Sequence, residues 1–206
     1  MLKLWGRLNS INVQKAVLAL EELGLPYERT DAGLQFGVNK TPEYLAMNPN
    51  GLVPTLDDDG FILWESNVIV RYLCAKHAAG TLWPEDLKIR ADADRWMDWQ
   101  TATLSGVMGP GFAGLVRTAP EKRNAEAIAA SLAKTTTLVA MLDAHLAGRD
   151  YIAGAAYTMG DIALAPIMHR WFNMPCERAA APHAERWYAR IMKRPACARV
   201  LTLPIT

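Results

Sequence analysis

Hydrophobic and polar positions along the chain change their period once, near residue 80. Before it, short apolar runs alternate with stretches of helical spacing. LKLWG (2–6) predicts a strand, and VQKAVLALEELG (13–24) predicts a helix. In that helix Val13, Ala16, Val17 and Leu20 recur on one face, and Gly24 is a stop signal. PYERTDAG (26–33) holds a second strand. TPEYLAMNP (41–49) predicts a short helix with Thr41 as N-cap and Pro42 in the first turn. VPTLDDDGFILWES (53–66) predicts a hairpin turning on residues 58–60, and SNVIVRYLCAKH (66–77) a helix that Ser66 can cap. The resulting order, β-α-β-α-β-β-α over residues 1–78, predicts an α/β layer with a mixed sheet.

A Gly/Pro-bearing connector, HAAGTLWPEDL (77–87), leads into a second half with no strand pattern, and an all-helical domain is expected over 88–206. Its helices are KIRADADRWMDWQTATL (88–104), EKRNAEAIAASLAKTTTLVAMLDAHLAG (121–148), MGDIALAPIMHRWF (159–172) and AERWYARIMKRP (184–195). Between the first two, GVMGPGFAG (106–114) predicts a helix break.

The chain has 206 residues, 51% of them hydrophobic, which suits a packed globular protein. Its 22 basic and 21 acidic residues give a net charge of +1, and no excess of Lys/Arg points to nucleic acid. No apolar run approaches a membrane span, and MLKLWGRLNSINVQK does not read as a signal peptide. Cys74, Cys176 and Cys197 are widely spaced, without CxxC. They predict reduced thiols in a cytoplasmic protein, with neither a disulfide framework nor a metal site.

Three stretches carry candidate chemistry. Pro54 stands near the start of a strand, where it cannot donate to a ladder. A cis Val53–Pro54 bond would leave the Val53 N–H and C=O facing outward, able to pair with an extended peptide. In ESNVIVRYL (65–73), Ser66 and the helix amides suit a carboxylate, and Glu65 suits an ammonium group. An isolated ESN reads first as plain helix capping. In GRLNSINVQK (6–15), Asn9, Ser10 and Asn12 bring polar groups to a helix N-terminus, where thiol pKa values fall. Lowering a thiol pKa by about two units needs ~2.7 kcal/mol. One hydroxyl hydrogen bond to an ion contributes ~1.5–3 kcal/mol and a helix end ~0.3–2 kcal/mol, so one serine at such an end suffices. With no cysteine suitably placed, the thiol would belong to a ligand, although for the pair alone Ser10 or Asn12 as a helix cap is the first reading.

The ordered set SINVQK, NPNGLVPTL, WESNVIVRYL and TMGDIALAP (158–166) resembles the cytosolic glutathione transferases of the serine type, close to the phi and theta classes. The resemblance implies a thioredoxin-like N-terminal domain, an all-helical C-terminal domain, a cis Pro54, glutathione as co-substrate and a homodimer, with helix residues 91–100 as a candidate interface. It implies Val53 on the cysteinyl backbone, Glu65 and Ser66 on the γ-glutamyl end, and Lys40 on the glycine carboxylate. Ser10 is the expected thiolate partner, with Asn9 as its competitor. Leu52 departs from related classes, which often carry glutamine there. The implied activity is conjugation of the thiolate to an apolar electrophile in detoxification. A specialised dehalogenase, peroxidase or ether-cleaving enzyme, or a non-catalytic partner-binding module, are the alternatives. Trp96, Trp99, Met108, Phe112, Val116, Trp171 and Phe172 offer an apolar lining for the electrophile. Thr158 and Asp161 match a capping box, which makes Asp161 a folding residue rather than a catalytic one.

Overall fold

Four short strands and three helices form the first layer in the computed structural model, which describes residues 1–206. They are β1 (Leu2–Trp5), α1 (Ile11–Glu22), β2 (Tyr27–Thr30), α2 (Pro42–Met47), β3 (Thr55–Asp58), β4 (Phe61–Trp64) and α3 (Ser66–His77). The sheet order is β2-β1-β3-β4, with β1 parallel to β2 and antiparallel to β3, and β3 antiparallel to β4. The fold is therefore the thioredoxin-like α/β layer followed by helices. The alternation in LKLW puts Leu2 and Leu4 in the core, and α1 is buried at Val13 and at every position from 15 to 20. Such a helix is sandwiched rather than amphipathic: it packs against α3 inside its own layer and against helices of the second half.

The second half holds α4 (Leu87–Trp99), α5 (Ser105–Phe112), α6 (Ala125–His145), α7 (Met159–Asn173), α8 (Pro182–Ile191) and α9 (Pro195–Val200). Here one expectation is corrected: the Gly/Pro cluster at 106–114 does not break the chain. Helical backbone runs from Leu87 to Arg117, with π-helical turns at Gln100–Leu104 and Ala113–Arg117 joined through α5. Pro110 lies inside α5, and just after it the Ser131 hydroxyl enters the helix ladder. It accepts from the Gly111 N–H (2.9 Å) and donates to the Val107 carbonyl (2.6 Å), so both backbone groups stay paired. Gly111 and Gly114 serve the approach of α6 rather than a turn. A side-chain carbon at Gly114 would sit 2.5 Å from Ile128 Cγ1, and one at Gly111 would sit 2.9 Å from Ser131 Oγ.

The long α6 also qualifies the reading that no segment approaches a membrane span. By length and composition alone it could cross a bilayer, with 21 residues and an 18-residue stretch of mean hydropathy 1.2. The sequence hides this because Ser131, Lys134, three threonines and Asp143 are spread through it.

The capping box at α7 is formed as expected. Buried Asp161 accepts from the Thr158 N–H (2.9 Å), the Ile152 N–H (2.9 Å) and Trp187 Nε1 (2.8 Å), tying α7 to the preceding loop and to α8. The two layers are also clamped by ions. Arg194 makes a bidentate pair with Glu22 at 2.8 and 2.6 Å, and Arg199 pairs with Glu21.

Candidate active site

The cis-proline loop is the part of the site most heavily wired. Tyr44 on α2 donates its phenol to the Leu52 carbonyl (2.6 Å) and lies 2.7 Å from Thr55 Oγ1. Asn48 donates to the same two oxygens at 3.0 Å each and accepts from the Asn50 N–H at 3.1 Å. Asn39 holds the Gly51 carbonyl at 2.6 Å. Gly51 has φ +57°, which favours glycine, and a side-chain carbon there would lie 3.0 Å from the Asn39 carbonyl oxygen. The Val53–Pro54 peptide is cis. With Leu52 and Thr55 thus fixed, Val53 keeps both backbone polar groups out of the protein's own hydrogen-bond network. Leu52 is 64% exposed, and its role in the loop is played by its carbonyl rather than its side chain.

Opposite this loop, β4 hands over to α3 through Glu65. Glu65 occupies the cap position with φ +74° and makes no side-chain cap bond, while Ser66 is the first helical residue. This corrects the expectation that Ser66 caps α3. A positive φ at a residue with a bulky side chain is strained backbone, and such strain concentrates at functional sites. Asn12, Asn48, Asn50, Leu52, Val53, Pro54, Trp64, Glu65 and Ser66 together line a polar cavity of about 90 Å³.

Ser10 is the cap residue of α1, with extended backbone at φ −91° and ψ 124°, and its side chain bonds no helix amide. The capping explanation of this serine is therefore corrected: the hydroxyl and the first amides of α1 are both unspent. Asn12 lies on the cavity wall and is exposed. Asn9 faces elsewhere, into a second cleft of about 160 Å³ with Leu8, Gln14, His169, Arg170 and the tail residues Val200, Thr202, Pro204, Ile205 and Thr206. Its Oδ1 is buried without a partner. Lys40 is exposed at the rim beside Gly51.

The sequence reading missed Lys15. Its side chain is fully buried beneath the cavity, with Nζ 3.1 Å from Asn67 Oδ1 and 3.5 Å from Ser66 Oγ. Burial pushes its ammonium down to about 7, against an opposing pull from Glu65. Asn67 passes the connection onward, donating to the Met97 carbonyl (2.7 Å) and to Thr101 Oγ1 (3.0 Å). The first turn of α3 is thus tied to the π-helical turn of the second half. The signal was present in VQKAVLAL, where a lysine interrupts an otherwise apolar helix.

The seven apolar residues expected to line an electrophile pocket do not converge. Met108 and Trp171 are buried in the core. Trp96 and Trp99 pack edge to face at 4.9 Å and line a groove of about 460 Å³ with Arg95, Met141 and His145. Phe172 packs on Tyr188 at 4.9 Å, and Val116 is half-buried against the core. Phe112, buried in the core, is the one among them with guanidinium groups over its ring, Arg170 at 4.1 Å and Arg117 at 4.9 Å.

Known proteins share this arrangement along the full chain. The glutathione S-transferase N-terminal domain family matches residues 1–75, and the C-terminal domain family matches 103–195. The chain belongs to the glutathione S-transferase family. Glutathione S-transferase GstB of Escherichia coli is 47% identical over 208 residues, spanning 100% of both chains. A theta class glutathione S-transferase from Xanthomonas axonopodis pv. citri, solved with glutathione bound, superposes with a TM-score of 0.96 at 47% identity, over 100% of this chain and 99% of that one. A probable elongation factor 1-gamma 2 of Arabidopsis thaliana is 32% identical over 91% of this chain, which spans only 46% of that protein. This chain is an enzyme of the glutathione S-transferase kind.

Proposed function

We propose that the enzyme binds glutathione along the cis-proline loop, holds its sulfur as a thiolate at the N-terminus of α1, and adds it to an electrophile. The cysteinyl backbone pairs with the Val53 N–H and C=O, in the manner of an added strand. The γ-glutamyl carboxylate takes the Ser66 hydroxyl and the first amides of α3, with the Lys15 ammonium behind them, and Glu65 receives the γ-glutamyl ammonium. Lys40 meets the glycine carboxylate at the rim. Ser10 donates its hydroxyl to the thiolate, with Asn12 beside it on the cavity wall.

The observation that carries this reading is the Ser10 side chain, placed at the head of a 12-residue helix and bonded to none of its amides. Helix termini and one charge-assisted hydrogen bond together reach the ~2.7 kcal/mol needed for two pKa units. The direct test is calorimetry of glutathione binding at pH 6.5 and 8 in buffers of different ionisation enthalpy, with Ser10→Ala and Asn9→Ala alongside. Thiolate formation appears as proton release at pH 6.5 that Ser10→Ala abolishes and Asn9→Ala retains. Binding without proton release in the unmodified protein refutes thiolate activation.

A homodimer belongs to the same reading, with α3 and α4 at its interface. The support is a shared face on which Arg71 pairs with Asp94 (2.6 Å) and Asp98, while Val68 is 39% exposed. Sedimentation of a single monomeric species at micromolar concentration would overturn it.

A further inference from the structure

Ser66 rests on a buried cation that no acidic side chain neutralises by contact. Lys15 on α1 is wholly shut from solvent and forms no ion pair. Its hydrogen-bond partners are neutral, Asn67 Oδ1 at 3.1 Å and Ser66 Oγ at 3.5 Å. Two charged groups act on it from farther away. Glu65, at the head of α3, favours the ammonium, and Arg71, one turn along α3, opposes it. Arg71 is itself paired with Asp94 and Asp98.

The carboxamide of Asn67 meets the ammonium in one orientation only. Its Nδ2 donates to the Met97 carbonyl at 2.7 Å and to Thr101 Oγ1 at 3.0 Å, both on the second half of the chain. These acceptors take both N–H groups, which turns Oδ1 onto Lys15. Thr101 continues the same direction. Its hydroxyl donates to Gln100 Oε1 at 3.3 Å, and Gln100 Nε2 donates to Ser105 Oγ at 2.6 Å. The oxygen that faces Lys15 is therefore set by the π-helical turn at Gln100–Leu104 as well as by α3. A neutral amide holds an ammonium by geometry and leaves its net charge in place, whereas a carboxylate at the same point would cancel it. Ser66 stands between this charge and the polar cavity of about 90 Å³.

We infer that Asn67 is a specificity-determining positioning residue: by holding Lys15 with a neutral oxygen it keeps a positive charge beneath Ser66 for the α-carboxylate of the γ-glutamyl end. The enzyme thereby selects thiol peptides that carry this carboxylate. The inference rests on the glutathione site proposed above and deepens it. Asn67 acts through Lys15, and Lys15 acts through the Ser66 hydroxyl, so neither touches the reacting sulfur. Low local dielectric strengthens such a chain of polarised hydrogen bonds.

The test compares glutathione with 4-aminobutanoyl-cysteinylglycine, the same tripeptide without its α-carboxylate, by calorimetry at pH 6.5. At that pH most of the free protein carries the Lys15 proton, since burial pushes this group down to about 7. The unmodified protein should prefer glutathione by at least about tenfold, the scale of one charge-assisted hydrogen bond. Asn67→Asp keeps the side-chain shape and an oxygen toward Lys15 but cancels the charge. It should lower the preference about tenfold and leave binding of the shortened peptide nearly unchanged. Lys15→Met should lower the preference by a similar factor, and it keeps the test decisive where an aspartate at 67 impairs folding. In turnover, both variants raise the KM for glutathione with little change in kcat at saturation. A loosened fold weakens both peptides together and leaves their ratio where it was. An unchanged ratio in either variant overturns the inference. Equal binding of the two peptides by the unmodified protein also overturns it and leaves the glutathione site standing, whereas binding of neither removes both.

Discussion

Replacing Lys15 with methionine tests whether the lysine beneath the cavity titrates near neutrality. The ordinary lysine value of 10.5 falls to about 7 in the folded protein because the ammonium is buried. At ~1.36 kcal/mol per pH unit, that depression is a folded-state penalty of about 5 kcal/mol. Its sign follows from proton counting. Between pH 7 and 10.5 the unfolded chain holds the Lys15 proton and the folded chain has released it, so stability rises with pH in this window. Below pH 7 both states are protonated and the penalty is constant. Methionine has similar length and no charge, so the variant lacks this dependence altogether. The orphaned Asn67 Oδ1 shifts its stability by an amount that does not vary with pH. The difference in unfolding free energy, unmodified protein minus Lys15→Met, should therefore change by less than ~0.5 kcal/mol from pH 6 to 7. From pH 7 to 9 it should rise by about 2 kcal/mol. Urea unfolding followed by tryptophan fluorescence at four pH values measures it. A difference that stays flat to pH 9 would show that Lys15 keeps an ordinary pKa, and the electrostatic account of the site floor would be wrong.

Glutathione binding should raise the Lys15 pKa again, because a carboxylate at Ser66 faces the ammonium. Net proton release at pH 8 is then smaller in the unmodified protein than in Lys15→Met, read by calorimetry in two buffers. Asp161→Ala strands at least three buried donors and should destabilise the fold by about 3–5 kcal/mol in chemical denaturation, with Asp161→Asn milder. Ser131→Ala leaves the Gly111 N–H and the Val107 carbonyl unpaired and should lower stability by about 2–4 kcal/mol. Gly114→Val drives a branched side chain into Ile128 and should disturb α5–α6 packing more than Gly109→Ala, where the space is open, as thermal melts of the two variants will show.

Much of the first layer was legible because its elements are short and punctuated. Gly24, the Thr41-Pro42 pair and Gly60 mark boundaries that local chemistry alone enforces. The second half was less so at one place, and the reason is tertiary. Nothing within GVMGPGFAG reveals that Ser131, about 20 residues away, will supply the bridge that keeps a proline-bearing helix continuous. The site divides in the same way. Pro54, Glu65, Ser66, Ser10 and Val53 stand out as residue types at odds with, or poised at the ends of, their elements. Lys15 was visible only as a charge in an apolar helix, and its meaning depends on Asn67 arriving from α3.

The cis-proline side of the candidate site is built from adjacent elements of one sheet layer, and its loop is cross-linked by Tyr44, Asn48 and Asn39, so a substitution there disturbs several hydrogen bonds together. In the proposed reading, activation of glutathione therefore rests on groups that the fold itself needs.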